Sequence, residues 1–258
     1  MTSQDDLSAT RVEWLASIDS TNDEAMRRAR DGVREPVWIA AREQTKGRGR
    51  QGRVWQSPQG NLAASLLLID PAPMACAPQL GFVTGVALVF AVADLLPASV
   101  SAQLKWPNDL VVNGAKLSGL LLEATQLADG HLACVVGIGL NIESHPADLP
   151  YAATSLRELG SEARVELALE RIRAHMSVWL SRWQRGENFA AIREAWMRHA
   201  AALEEPVQVR SSNGIQSGIF RGLDAAGQMI LETDIGRQTI AAGDVFLGAA
   251  GDQVIDGQ

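Results

Sequence analysis

Apolar residues dominate or alternate with polar ones in a series of short segments that read as strands: Val12 to Ile18, Val37 to Arg42, Asn61 to Ile69, Lys116 to Thr125 and Leu132 to Ile142. Asn61 to Ile69 is nearly all apolar, which predicts a central strand. Ala102 to Trp106 begins another extended segment, interrupted by Pro107 and continued by Asp109 to Val112. Asn113-Gly114 then predicts a two-residue hairpin turn, and Asp129-Gly130 a second turn. The middle of the chain is therefore expected to be a mostly antiparallel sheet. Helices flank it. Overlapping capping boxes in Ser20-Thr21-Asn22-Asp23-Glu24 open one that runs to about Arg30 and stops at Gly32. Leu80 to Leu96 is apolar all round, as a buried helix would be. Val165, Leu169, Ile172, Met176, Trp179 and Trp183 recur at three- and four-residue steps and predict an amphipathic helix to Arg185, followed by another over Phe189 to His199. From Glu204 the texture changes to short strands (Val207 to Arg210, Ile215 to Leu223, Met229 to Thr233, Gln238 to Ala241, Val245 to Leu247) separated by glycine turns. That pattern predicts a small β-barrel as a second domain.

Composition narrows the function. A net charge of −7 argues against nucleic acid as the main partner, yet Arg42 to Arg53 holds five basic residues and one acid. The positive charge is local and suits a small anionic ligand. Cys76 and Cys134 form no metal spacing or disulfide framework, and Cys134, inside an apolar run, reads as a small buried hydrophobe. Leu80 to Leu96 is short for a membrane span, and Met1 to Thr10 has no apolar signal core, so a cytoplasmic protein is expected.

The densest chemistry lies in Gly47-Arg48-Gly49-Arg50-Gln51-Gly52-Arg53. Glycine lets backbone approach a ligand, and arginine presents a planar fork of donors that fits carboxylate or phosphate. The spacing matches the Gly-x-Gly-x-x-Gly dinucleotide fingerprint, but that match fails, because Ser57-Pro58-Gln59-Gly60 and a strand follow where a helix must begin. Lys105-Trp106-Pro107-Asn108-Asp109 is either a hairpin corner with Trp106 in the core or a place where a carboxylate holds Mg²⁺. Lys116, opening Lys116-Leu117-Ser118-Gly119, lies on a sheet edge or reaches into a pocket, and taken alone the edge is the commoner case. Gly137 and Gly139 face one side of their strand, giving a flat surface for a ring or a close backbone crossing. Ser20, Thr21 and Asn22 are explained as caps, with a polar head group as the functional alternative; Trp55 either stacks on a base or fills the core.

In this order Ser20-Thr21-Asn22, Gln44, Gly47 to Trp55, Lys105 to Asp109, Lys116 to Gly119 and Gly137-Ile138-Gly139-Leu140-Asn141 resemble the motifs of the biotin protein ligase family. The resemblance implies an α+β fold: a mixed, mostly antiparallel sheet with helices in a class II synthetase-like catalytic domain (1–203), an SH3-like β-barrel (204–250) and a flexible tail (251–258). It implies that biotin and MgATP form biotinyl-5′-adenylate, from which biotin passes to a lysine of a biotin carboxyl carrier protein. By the same resemblance Ser20, Thr21, Asn22, Gln44, Gly47, Arg48 and Gly49 bind biotin. Arg50 and Lys116 act on its carboxylate and the bridging phosphate. Arg53, Trp55 and Asn141 contact the nucleotide, Asp109 holds Mg²⁺, no redox cofactor takes part, and a homodimer is plausible.

Some relatives carry an N-terminal winged helix-turn-helix and repress transcription. Only 19 residues precede Ser20, so a ligase that does not repress is expected. Relatives also place an arginine near Gly248 that helps bind ATP; its absence leaves the C-terminal domain's share in nucleotide binding open. A lipoate or octanoate ligase of similar fold and a non-catalytic adenylate-binding module are the competing readings.

Overall fold

The computed structural model describes residues 7–211 and 214–247, so the expected tail, Asn213 and Gly248 lie outside the described residues. Seven strands form the larger sheet: β1 (Val12–Leu15), β2 (Val37–Ala41), β3 (Leu62–Ile69), β4 (Gln103–Lys105), β5 (Asp109–Val112), β6 (Ala115–Gln126) and β7 (Leu132–Leu140). Their order is β1-β2-β3-β7-β6-β5-β4; β1 and β2 run parallel and every other pair antiparallel. The expected mixed, mostly antiparallel sheet is what forms. Every residue of β2, β3 and β7 is buried, which accounts for their near-continuous apolar runs: both faces of the sheet are covered.

One face carries Trp38, Leu62, Leu66, Val136 and Ile138 and packs under α2 (Gln79–Ala93), α3 (Val165–Trp183) and α4 (Phe189–Arg198). Because α2 lies between the sheet and those helices, it is apolar on all sides. No helix among the described residues is long and apolar enough to cross a membrane. The other face carries Val37, Ile39, Leu67, Ala133 and Val135, covered by Ala25, Met26 and Ala29 of α1 (Thr21–Arg30). The Ser20 hydroxyl accepts from the Asp23 amide at 3.3 Å, and Gly32 at φ 96° follows the last turn, so both ends of α1 fall where the capping residues placed them. Cys134 is fully buried, and desolvation pushes its thiol up to about 11.

The structure corrects one local expectation. Asp109 to Val112 does not continue the strand before Pro107 but doubles back on it, pairing Gln103 with Val111 and Lys105 with Asp109. Proline has no N–H to extend a ladder. Trp106 is drawn out of the strand into the core, where its indole N–H donates to the Gly227 carbonyl at 3.1 Å. The next turn forms as expected, with Asn113 at φ 50° and Gly114 at φ 78°, the positive values that a tight hairpin needs.

The smaller sheet is antiparallel: β8 (Pro206–Ser211), β9 (Gly214–Leu223), β10 (Met229–Thr233), β11 (Gly236–Ile240) and β12 (Asp244–Leu247), in the order β11-β10-β9-β8-β12. Its inward residues Val207, Val209, Phe220, Leu231 and Val245 join the main core, and β9 packs against α4.

Candidate functional site

Strand register builds the floor of the site. On the face that α1 covers, Val135 and Leu67 lie under the helix, and the next residues along the strands shrink. Gly137 pairs with Ser65, Gly139 with Ala63 on one side and Gly119 on the other. A Cβ on Gly137 would run into the Asn22 carboxamide; one on Gly139 would run into the Trp55 indole, which also lies 3.2 Å from the Cβ position of Gly119. The expected ring-sized flat surface exists, and the ring lying on it is the chain's own Trp55. From Gly137 to Gly139 is about 7 Å along the strand, and Gly119 is one strand spacing, about 5 Å, further.

At the Gly137 end neutral amide and hydroxyl groups line the floor, with the Glu123 carboxylate behind Asn22 and paired with Arg48. Gln44 Oε1 accepts from the Thr21 amide at 2.8 Å and the Thr21 hydroxyl at 3.0 Å, while Gln44 Nε2 donates to Ser57 Oγ at 3.1 Å. Asn22 donates to the Leu121 carbonyl and, at 2.8 Å, to Glu123 Oε2. Ser65 Oγ lies 2.6 Å from Asn22 Oδ1 and 2.8 Å from Thr21 Oγ1. Ser20, Thr21 and Asn22 are therefore both the start of α1 and one wall of the polar cluster.

The glycine–arginine stretch folds back on itself rather than opening a helix. Trp55 N–H donates to Gly47 O at 2.9 Å and Gly49 N–H to Arg53 O at 2.7 Å, with Gln51 at φ 56° and Gly52 at φ 74° in the turn. Gly47 has no room for a Cβ against the Trp55 carbonyl and Gln44. The three arginines diverge. Arg48 pairs with Asp23 at 2.5 Å and Glu123 at 3.1 Å, and the Asp23 bond chiefly raises its pKa. Arg50, a quarter exposed, donates to Asn108 Oδ1 at 3.2 Å and the Gly243 carbonyl at 3.3 Å; burial lowers its pKa, with Asp244 and Asp109 opposing that shift. Arg53 pairs with Asp244.

Lys116 sits on β6, inside the sheet, which corrects the sheet-edge expectation. Its ammonium lies 2.8 Å from Asp109 Oδ1 and 5.5 Å from the ring centres of Trp55 and Tyr151. Lys105 Nζ lies 3.5 Å from Asp109 Oδ2. Both Asp109 oxygens thus face ammonium groups, and no cluster of three metal-ligating side chains exists among the described residues. Asp109 stands here as the counter-ion of two lysines. Arg50 and Lys116, expected to act on one anion pair, are joined through the adjacent Asn108 and Asp109. Asn141 is buried and donates to the Thr154 carbonyl at 3.1 Å, tying to β7 the segment that bonds Lys116 backbone at Ala152 and Thr154.

Ser65, Glu123 and Asp244 were not anticipated from sequence. A lone serine inside the apolar run Leu62 to Ile69 was a visible signal; Glu123 and Asp244 become informative only once pairing brings them to Asn22, Arg48 and Arg53. The assembled strip offers amide and hydroxyl partners at one end, where Arg48 is neutralised by Asp23 and Glu123, then an indole, and Lys116 and Arg50 at the other end. It suits an elongated ligand with an uncharged polar head and an anionic end.

Comparison with known proteins agrees with that chemistry. The Biotin/lipoate A/B protein ligase family matches residues 14–141, and the Biotin protein ligase C terminal domain matches residues 202–248. The chain is 38% identical to a biotin–[acetyl-CoA-carboxylase] ligase of Paracoccus denitrificans, over 91% of this chain and 99% of that protein. It is 31% identical to a bifunctional ligase/repressor of Bacillus subtilis, over 90% of this chain and 72% of that one. Among solved structures, biotin protein ligase from Aquifex aeolicus in complex with biotin and ATP superposes with a TM-score of 0.78 at 29% identity, covering 92% of this chain and 97% of that one.

Proposed function

The chain belongs to the Biotin/lipoate A/B protein ligase family as a biotin protein ligase, and from that premise we propose that it joins biotin to AMP and then to a carrier lysine. In the first step a carboxylate oxygen of biotin bonds to the α-phosphorus of MgATP, the bond to the β-phosphate breaks, and pyrophosphate leaves. In the second, the neutral amine of a carboxyl-carrier lysine attacks the acyl carbon, AMP departs, and the amine loses a proton. Mg²⁺ enters with its nucleotide substrate. The proposed boundaries are 1–203 for the catalytic domain and 204–250 for the C-terminal domain.

The observation that carries this reading is the side-chain-free strip over Gly137, Gly139 and Gly119, with Asn22 at one end and Lys116 at the other. On this reading Ser20, Thr21, Asn22, Gln44 and Arg48 surround the ureido head, with Gly47 and Gly49 giving the hairpin its close approach. Trp55 lines the adenine pocket, with Arg53 and Asn141 toward the nucleotide. Two unit anions 4 Å apart near a protein surface repel by about 4 kcal/mol. Arg50 and Lys116 oppose that repulsion and stabilise the charge that develops in transfer. Operator binding is no part of the proposal: the chain carries a net −7, and Arg48, Arg50 and Arg53 face internal partners.

Incubation with biotin, MgATP and a biotin carboxyl carrier domain is expected to add one biotin to one carrier lysine, with no labelling when ATP is omitted. An unlabelled carrier in the complete mixture would leave adenylate binding without transfer as the function.

A further inference from the structure

Arg50 and Arg53 stand on the hairpin between β2 and β3, yet both reach the start of β12, more than 190 residues later. Arg53 pairs with the Asp244 carboxylate, and Arg50 bonds the Gly243 carbonyl with its guanidinium 4.0 Å from Asp244 Oδ1. The base under them is firm. Asp244 pairs with Arg210 of β8, Val245 and Val209 beside them are buried, and a Cβ on Gly243 would lie 2.9 Å from the Arg210 carbonyl oxygen. Arg210, the cross-strand neighbour that could have neutralised Asp244, turns its guanidinium over the Phe246 ring, 5.4 Å from the centroid. The cations at Asp244 are thus those of the hairpin, and no other contact from the smaller sheet to that hairpin carries a full negative charge among the described residues.

We propose that Asp244 is a positioning residue: through Arg53 and Arg50 it holds the Gly47–Trp55 hairpin folded, and the phosphates of ATP take those arginines over from it. The first half stands on geometry alone; the second rests on the function proposed above. Arg53 is half exposed, so its pair with Asp244 is of the weak, solvent-screened kind and can yield. A triphosphate brings more negative charge than one carboxylate. An interaction present only before nucleotide binds stabilises the unbound side, so its removal shifts the balance toward the bound one.

The test is Asp244→Asn in the full chain, with Asp244→Glu as the conservative variant. Tryptic cleavage after Arg48, Arg50 and Arg53, measured without nucleotide, is expected to be about two- to five-fold faster in Asp244→Asn, the range an exposed ion pair supports. In biotin-dependent exchange of pyrophosphate into ATP, the KM for ATP is expected to fall by a similar factor while the KM for biotin stays unchanged. Asp244→Glu is expected to restore both. Unchanged cleavage would show that Asp244 does not hold the hairpin. A raised KM for ATP would show that the pair persists with nucleotide bound, and either result overturns the proposal. If the wild-type chain shows no biotin-dependent exchange, the functional reading fails, whereas the cleavage arm still decides whether Asp244 holds the hairpin.

Discussion

Lys116→Ala is expected to lower the rate of biotinyl-adenylate formation about 10²–10³-fold, the loss typical of removing one preorganised group that meets developing charge. The ammonium stands where the Trp55 ring, Gly119 and Asp109 converge, and it is largely shielded from water. Shielding makes a charge count for more than it does at the surface. The substitution has a structural side too. Asp109 Oδ1 is buried and takes no hydrogen bond, so the lysine is its nearest compensation, and alanine leaves a carboxylate with Lys105 at 3.5 Å. A double variant, Lys116→Ala with Asp109→Asn, removes the unpaired charge and separates the two effects. The thermal midpoint is expected to recover in the double variant, and the adenylation rate is not. Single-turnover adenylate formation at wild-type rate in either variant would remove Lys116 from the chemistry.

Gly139→Val is expected to raise the KM for ATP at least about tenfold and to change the KM for biotin far less. Stacking of a base on an aromatic ring is worth roughly 1–3 kcal/mol, so losing the platform has that reach. The added Cβ would enter the space of the Trp55 indole, which is half-buried and can move outward. Valine suits a strand, so the fold has no reason to fail from propensity. Gly137→Val makes the internal control: its Cβ meets the Asn22 carboxamide, and the KM for biotin is expected to rise while that for ATP holds. Initial rates against each substrate distinguish the two. A Gly139→Val enzyme impaired in biotin and not in ATP would reverse the assignment of the strip's ends.

Much of this architecture is written locally. The caps of α1, the all-round apolar α2 and the Asn113-Gly114 turn each follow from residues within a few positions of one another, and the structure has them. The flat surface over Gly137 and Gly139 also follows from two-residue alternation. Its occupant does not, because Trp55 reaches it only after β3, β7 and β6 pair in register. The same limit applies to Lys116 and Asp109. Whether a lysine lies at an edge depends on strand order, and whether an aspartate is free for a metal depends on which cations stand opposite. Pro107 breaks the strand as its sequence context implies, but the direction the chain takes afterwards is set by the burial of Trp106 and its bond to Gly227, more than a hundred residues away. Asp244 was invisible for the same reason: its meaning lies in Arg50 and Arg53.

Biotin-dependent exchange of labelled pyrophosphate into ATP tests the central claim most directly, because it requires biotin and nucleotide to meet in one site and needs no carrier. The account predicts exchange that depends on biotin and MgATP and is absent with lipoate in place of biotin. Exchange with lipoate and none with biotin would contradict it.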